Sequence, residues 1–146
     1  MGDRTLRALP AWEDGTVAVL STGAGAPHAI PISTGVRAGD RAVLFALALR
    51  RESLARLRAD PRAALTFLDH DIACTALGTV VVVREPMRVS DRVAAVRLEV
   101  DELQDHRQRR FVMEAPAAWR WTDDQARERD AEIRAELRAL AAAGRR

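Results

Sequence analysis

The stretch Leu44-Phe45-Ala46-Leu47-Ala48-Leu49-Arg50-Arg51-Glu52-Ser53-Leu54-Ala55-Arg56-Leu57-Arg58-Ala59-Asp60-Pro61, followed by a second apolar run at residues 63–68, decides how the chain is read. An apolar run ends in two arginines, a short charged segment follows, and Asp-Pro closes it. Proline cannot continue a helix and disfavours helical backbone just before it. The stretch therefore predicts strand, short helix from residues 52–53, stop and strand. A helix N-terminus has free N–H groups and the positive end of the helix dipole, so Arg50, Arg51 and the Ser53 hydroxyl beside it form a candidate anion corner. The same residues fit a second reading, in which Arg50, Arg51, Arg56 and Arg58 are one solvated helix face.

The strand leading into this corner, residues 41–49, is apolar on both faces. Val43, Phe45, Leu47 and Leu49 make a large-residue face suited to a core. Ala42, Leu44, Ala46 and Ala48 make a mostly small face, which leaves room for a flat ligand or a neighbouring chain, or forms an ordinary second packed layer.

Working outward, residues 15–21 and 27–36 predict two strands joined by the turn Thr22-Gly23-Ala24-Gly25. Pro31 inside the second argues for an edge or a bulge, because proline cannot donate to a ladder. After residues 63–68 comes a polar turn at Asp69-His70-Asp71. A long strand over residues 72–84 follows, then a half-exposed one in which Val96, Leu98 and Val100 alternate with charged residues. Residues 5–12 predict a single helical turn limited by Pro10, and residues 111–121 an irregular segment holding Trp119 and Trp121. Thr122 with Gln125 predicts a capping box for a C-terminal helix over residues 122–143, lying on the outside of the sheet. Six strands joined mostly by short turns favour a closed or nearly closed antiparallel barrel, a mainly β fold within one domain over residues 1–146, with the barrel at about residues 15–104.

Composition excludes several functions. All 23 basic residues are arginine, so there is no lysine for Schiff-base chemistry, and any phosphate must be held by arginine forks, hydroxyls or backbone N–H groups. Net charge is only +2 and acids are interleaved with the arginines, so no one-signed face predicts nucleic-acid binding. Cys74, the single cysteine, lies among apolar residues and reads as a buried, inert thiol. His28, His70 and His106 are far apart in sequence and predict no metal site. The N-terminal residues carry Asp3 and no apolar core of a signal peptide, and no segment reads as a membrane span, so a cytoplasmic location is expected. No nucleophile has an adjacent base, no glycine-rich loop opens a helix, and this poverty of reactive side chains points to a cofactor.

The order of these elements resembles the flavin-binding split-barrel family related to pyridoxamine 5'-phosphate oxidase. The resemblance rests on Gly15-Thr-Val-Ala-Val-Leu-Ser-Thr22, on Pro27-His28-Ala29-Ile30-Pro31-Ile32, on residues 53–62 and on Ala76-Leu77-Gly78-Thr79-Val80. It implies a six-stranded antiparallel split β-barrel with a short helix between strands 3 and 4 and a C-terminal helix. It also implies a homodimer holding FMN at its interface, with a deazaflavin, heme or no cofactor in some relatives. By position, Arg50, Arg51 and Ser53 would hold the phosphate. His28, Ile30, Ile32 and Leu47 would line the ring, and Trp119 would reach across from the second subunit. The implied activity is that of a flavin- or deazaflavin-dependent oxidoreductase acting on a small molecule. A cofactor-free dimeric barrel that binds small ligands or partners is the alternative. Ser53 and Arg56 stand where relatives commonly carry lysine and asparagine.

Overall fold

The computed structural model describes residues 4–144. Its strands are β1 (Arg4–Thr5), β2 (Ala18–Thr22), β3 (His28–Ile32), β4 (Val36–Arg37), β5 (Ala42–Ala48), β6 (Arg62–Asp69), β7 (Ile72–Arg84) and β8 (Val93–Asp105). Helix α1 (Glu52–Ala59) lies between β5 and β6, and α2 (Asp124–Ala143) closes the chain. All strand pairs are antiparallel, in the order β3-β2-β6-β7-β8-β5-β4, with β1 added on β8. The sheet curls as a half-barrel, and β3 and β4 are its two unpaired edges.

Eight strands replace the six expected. The segment expected as one strand at residues 27–36 breaks at residues 33–35 into β3 and β4, and the expected helical turn at residues 5–12 is absent. Its start pairs with the end of β8 as β1 instead, Arg4 opposite Asp105. The short helix, expected between strands 3 and 4, consequently lies between the fifth and sixth strands in this count. Pro31 does sit on an edge strand, where its missing N–H costs no ladder bond.

Two apolar layers hold the sheet. Inside the curl, Leu20, Phe45, Phe67, Leu65, Leu98 and Leu103 are wholly buried, and Leu54 and Leu57 of α1 close one end. Outside, Ile133, Leu137 and Ala141 of α2 cover Val36, Ala42, Leu44 and Ala95. Each of the buried valine, leucine, isoleucine and phenylalanine side chains contributes about 1.5–3 kcal/mol through burial, and each alanine methyl less. The small face of β5 is therefore mostly an ordinary packed layer, and only its end at Ala46 and Ala48 is left partly open. Helix α2 starts one residue later than the expected box, because Asp123 accepts from the Ala126 N–H at 2.7 Å. An aspartate is a good cap, and no Thr122–Gln125 exchange is needed.

Cys74 is buried on β7 against the core. Burial, helped by the Asp105 charge and opposed by Arg107, pushes its thiol up to about 11. The native thiol is expected to resist a thiol-specific reagent at about pH 8 and to react only on unfolding, which a colorimetric titration with and without denaturant reads directly. Among the described residues no helix is long and apolar enough to cross a membrane.

Candidate functional site

The two edges of the curled sheet approach each other, and chain neighbours join them. Residues 33–35 run from β3 to β4, and the Thr34 hydroxyl accepts the Ala46 N–H of β5 at 3.0 Å. Trp12 Nε1 fastens the same connection by donating to the Gly35 carbonyl at 2.9 Å, while its ring stacks on Phe67. Because β4 is only two residues long, it pairs with β5 at Leu44 and Val43 and leaves the rest of that edge of β5 uncovered. The result is a cleft of about 290 Å³ between β3 and β5. It lies just below the roughly 300–1,000 Å³ usual for small-molecule sites.

The cleft brings together Ile30 and Ile32 of β3, Ala46, Leu47 and Ala48 of β5, and Arg51 at the strand–helix corner. Pro31, Ser33, Thr34, Val93, Trp121 and Ile133 complete its lining. The walls are largely apolar, with one cation at one end. No lining residue is a carboxylate, an imidazole or a thiol, so the chain places no titrating acid or base there.

The other expected site residues are elsewhere. Arg50 faces a separate hollow with Leu49, Asp91 and Arg92. Ser53 is 1% exposed and its hydroxyl has no partner among the described residues. It is carried inward with Leu54 and Leu57, the anchors of α1. Arg56 is not part of a solvated face: its Nη1 donates to the carbonyls of Ala24 and Ala26 and its Nε to Glu52 at 3.0 Å. It thereby ties the β2–β3 turn to α1. His28 has its Nε2 3.5 Å from the Glu52 carboxylate and its Nδ1 buried without a partner among the described residues, and it is not in the cleft lining. Trp119 donates from Nε1 to the Gly15 carbonyl at 2.8 Å. The tryptophan that lines the cleft is Trp121, held edge-on to Trp119 at 5.1 Å between centroids. Nothing in an irregular segment distinguishes two tryptophans a residue apart.

This donor set fits a flat, anionic aromatic group such as a flavin nucleotide: apolar walls for a ring and the Arg51 fork for a phosphate.

A family model described as pyridoxamine 5'-phosphate oxidase matches residues 6–123. Solved structures share the fold at low identity. A Lactobacillus delbrueckii protein named for pyridoxamine 5'-phosphate oxidase is 16% identical at a TM-score of 0.56, covering 70% of this chain and 98% of its own. One from Listeria innocua, similarly named, is 11% identical at 0.54, covering 64% and 90%. A structure named F420 reductase is 14% identical at 0.51, covering 62% and 90%. No curated protein matched the chain.

Proposed function

Since the chain belongs to the pyridoxamine 5'-phosphate oxidase family, we propose that it is an oxidoreductase that binds FMN or a deazaflavin in the β3–β5 cleft. The observation that carries this reading is the cleft itself, an apolar slot ending in Arg51, which makes no side-chain ion pair among the described residues, where the barrel is split. Such a cofactor supplies hydride transfer to or from a small organic substrate. Ile30, Ile32 and Leu47 would support its ring, Arg51 would hold its phosphate, and Trp121 would close one end and keep out water. With no acid or base in the lining, the chain's own part is to bind, orient and desolvate. A second copy of the chain would cover the open side and complete the site as a homodimer.

The test is the visible spectrum of the purified protein, followed by titration with FMN and with a deazaflavin. Arg51→Gln is expected to weaken FMN by about tenfold or more, since a hydrogen bond to a charged group is worth roughly 1.5–3 kcal/mol. It should leave riboflavin, which lacks the phosphate, unchanged. A colourless protein whose melting temperature no flavin moves would sink the proposal. One observation favours the cofactor-free barrel instead: with Ser53 covered and Arg56 engaged, Arg51 is the one charged donor in the cleft. Unaltered ligand affinity after changing Arg50, Arg51 and Ser53 together would support that alternative.

A further inference from the structure

Many arginines of this protein are tied to carboxylates. Arg56, Arg58, Arg84, Arg97, Arg127 and Arg134 each meet a carboxylate. Arg50, Arg88, Arg92 and Arg129 make no side-chain ion pair or hydrogen bond among the described residues, yet they converge. Arg50 and Arg92 line one hollow of about 450 Å³ with Asp91. Arg88, Arg92 and Arg129 line a second of about 450 Å³, again with Asp91. The two hollows share Asp91 and Arg92, so four cations from three distant parts of the chain border a pair of adjoining hollows, together one depression, whose own lining holds the single acid Asp91.

The backbone beneath them is fixed. Leu49 N–H donates to the Arg92 carbonyl at 2.9 Å, tying the β7–β8 connection to the end of β5. Met87 N–H donates to the Val93 carbonyl at 2.9 Å, closing the base of that connection. The N–H groups of Arg88 and Val89 donate to Glu136 of α2 at 3.0 and 2.9 Å. Arg129, two turns before Glu136, lies on the same side of α2. Guanidinium groups gathered on one exposed surface repel one another, and a bound anion relieves that repulsion more fully than screening by salt does.

We propose that this depression is a binding site for a small polyanion, a molecule carrying two or more phosphate or carboxylate groups, separate from the cleft. A single anion would engage one or two of the forks, whereas an extended one can span from Arg50 to Arg129. A nucleic-acid duplex suits it less well, because Asp91 lies at its centre and no wider basic face surrounds it. The inference does not require a flavin in the cleft.

The experiment is calorimetric titration of the purified protein with inorganic tripolyphosphate at low salt, with orthophosphate, citrate and a short DNA duplex as parallel arms. Tripolyphosphate is expected to bind about tenfold or more tighter than orthophosphate, and more weakly as salt is added. Arg88→Gln with Arg92→Gln should cost about tenfold or more, while Arg127→Gln, which removes one charge elsewhere on α2, should cost less than about twofold. A citrate response as strong as that to tripolyphosphate assigns carboxylates as well as phosphates, a weak one assigns phosphates, and both uphold the site. It is overturned if tripolyphosphate gives no heat, if Arg127→Gln costs as much as the double change, or if the duplex binds more tightly and loses its binding in the same double variant. These arginines are exposed, so unaltered melting of the variants will show that the fold is intact. Visible absorbance reports separately on the cleft.

Discussion

Gly78→Ala is expected to destabilise the protein by about 3 kcal/mol or more, at the upper end of overpacking costs. A Cβ built at Gly78 would stand 1.9 Å from the Glu99 carbonyl oxygen and 2.8 Å from its carbon. Those atoms belong to the backbone of β8, which is bonded to β7 on one side and to β5 on the other, with Ala42 opposite Glu99. Neither strand can retreat without breaking a ladder. The close approach arises where the β7–β8 register shifts between Leu77 and Gly78, bending the long hairpin into the curl. Gly23→Ala is the control, since nothing lies within 4 Å of its Cβ, and it should change stability by less than about 0.5 kcal/mol. Urea denaturation compares the two; equal midpoints would refute the account.

Glu136→Ala is expected to cost about 3 kcal/mol, in the range for removing one partner of a buried charged group. Glu136 is 9% exposed and accepts from the N–H groups of Arg88 and Val89 and from Arg84 Nη1 at 3.2 Å. It is the bolt between α2 and the β7–β8 connection. Burial alone would raise its pKa, but the two backbone donors and Arg84 outweigh this and hold it below the ordinary glutamate value of 4.5. Because the folded value is depressed, the unfolded chain binds the proton more readily. The stabilisation is therefore present above about pH 4.5 and is lost as pH falls through the folded value. The wild type should lose stability on acidification below about pH 4.5, and Glu136→Ala should lose less over the same interval. Parallel loss in both proteins would contradict the assignment. The same variant should loosen Arg88 and weaken tripolyphosphate binding, linking this bolt to the arginine depression.

Several site residues could be read before the structure, and the failures have physical causes. Ile30, Ile32 and Leu47, which the resemblance had put beside the ring, and Arg51 of the basic corner do share one cleft. Ser53 is buried and lies outside the cleft lining, and a signal for its burial existed: Leu54 and Leu57 anchor α1, and Ser53, four residues before Leu57, falls on their side. Arg56 was read by its charge alone, and no local pattern shows that the β2–β3 turn passes within reach of it. Trp121 carries no periodic signal in its irregular segment.

The chain's own residues determined the strands flanking α1, the edge placement of Pro31, the buried thiol and the outer helix with its Ile133–Leu137 stripe. Those properties depend on alternation, on the missing proline N–H and on spacing within a few residues. Tertiary packing alone decided that residues 33–35 break one strand into two edges, and that the edges leave a cleft. It alone gathered Arg50, Arg88, Arg92 and Arg129 around one depression. Such convergence is set by a register shift at Gly78, a carboxylate at Glu136 and apolar contacts between residues far apart in the chain, which no local pattern records.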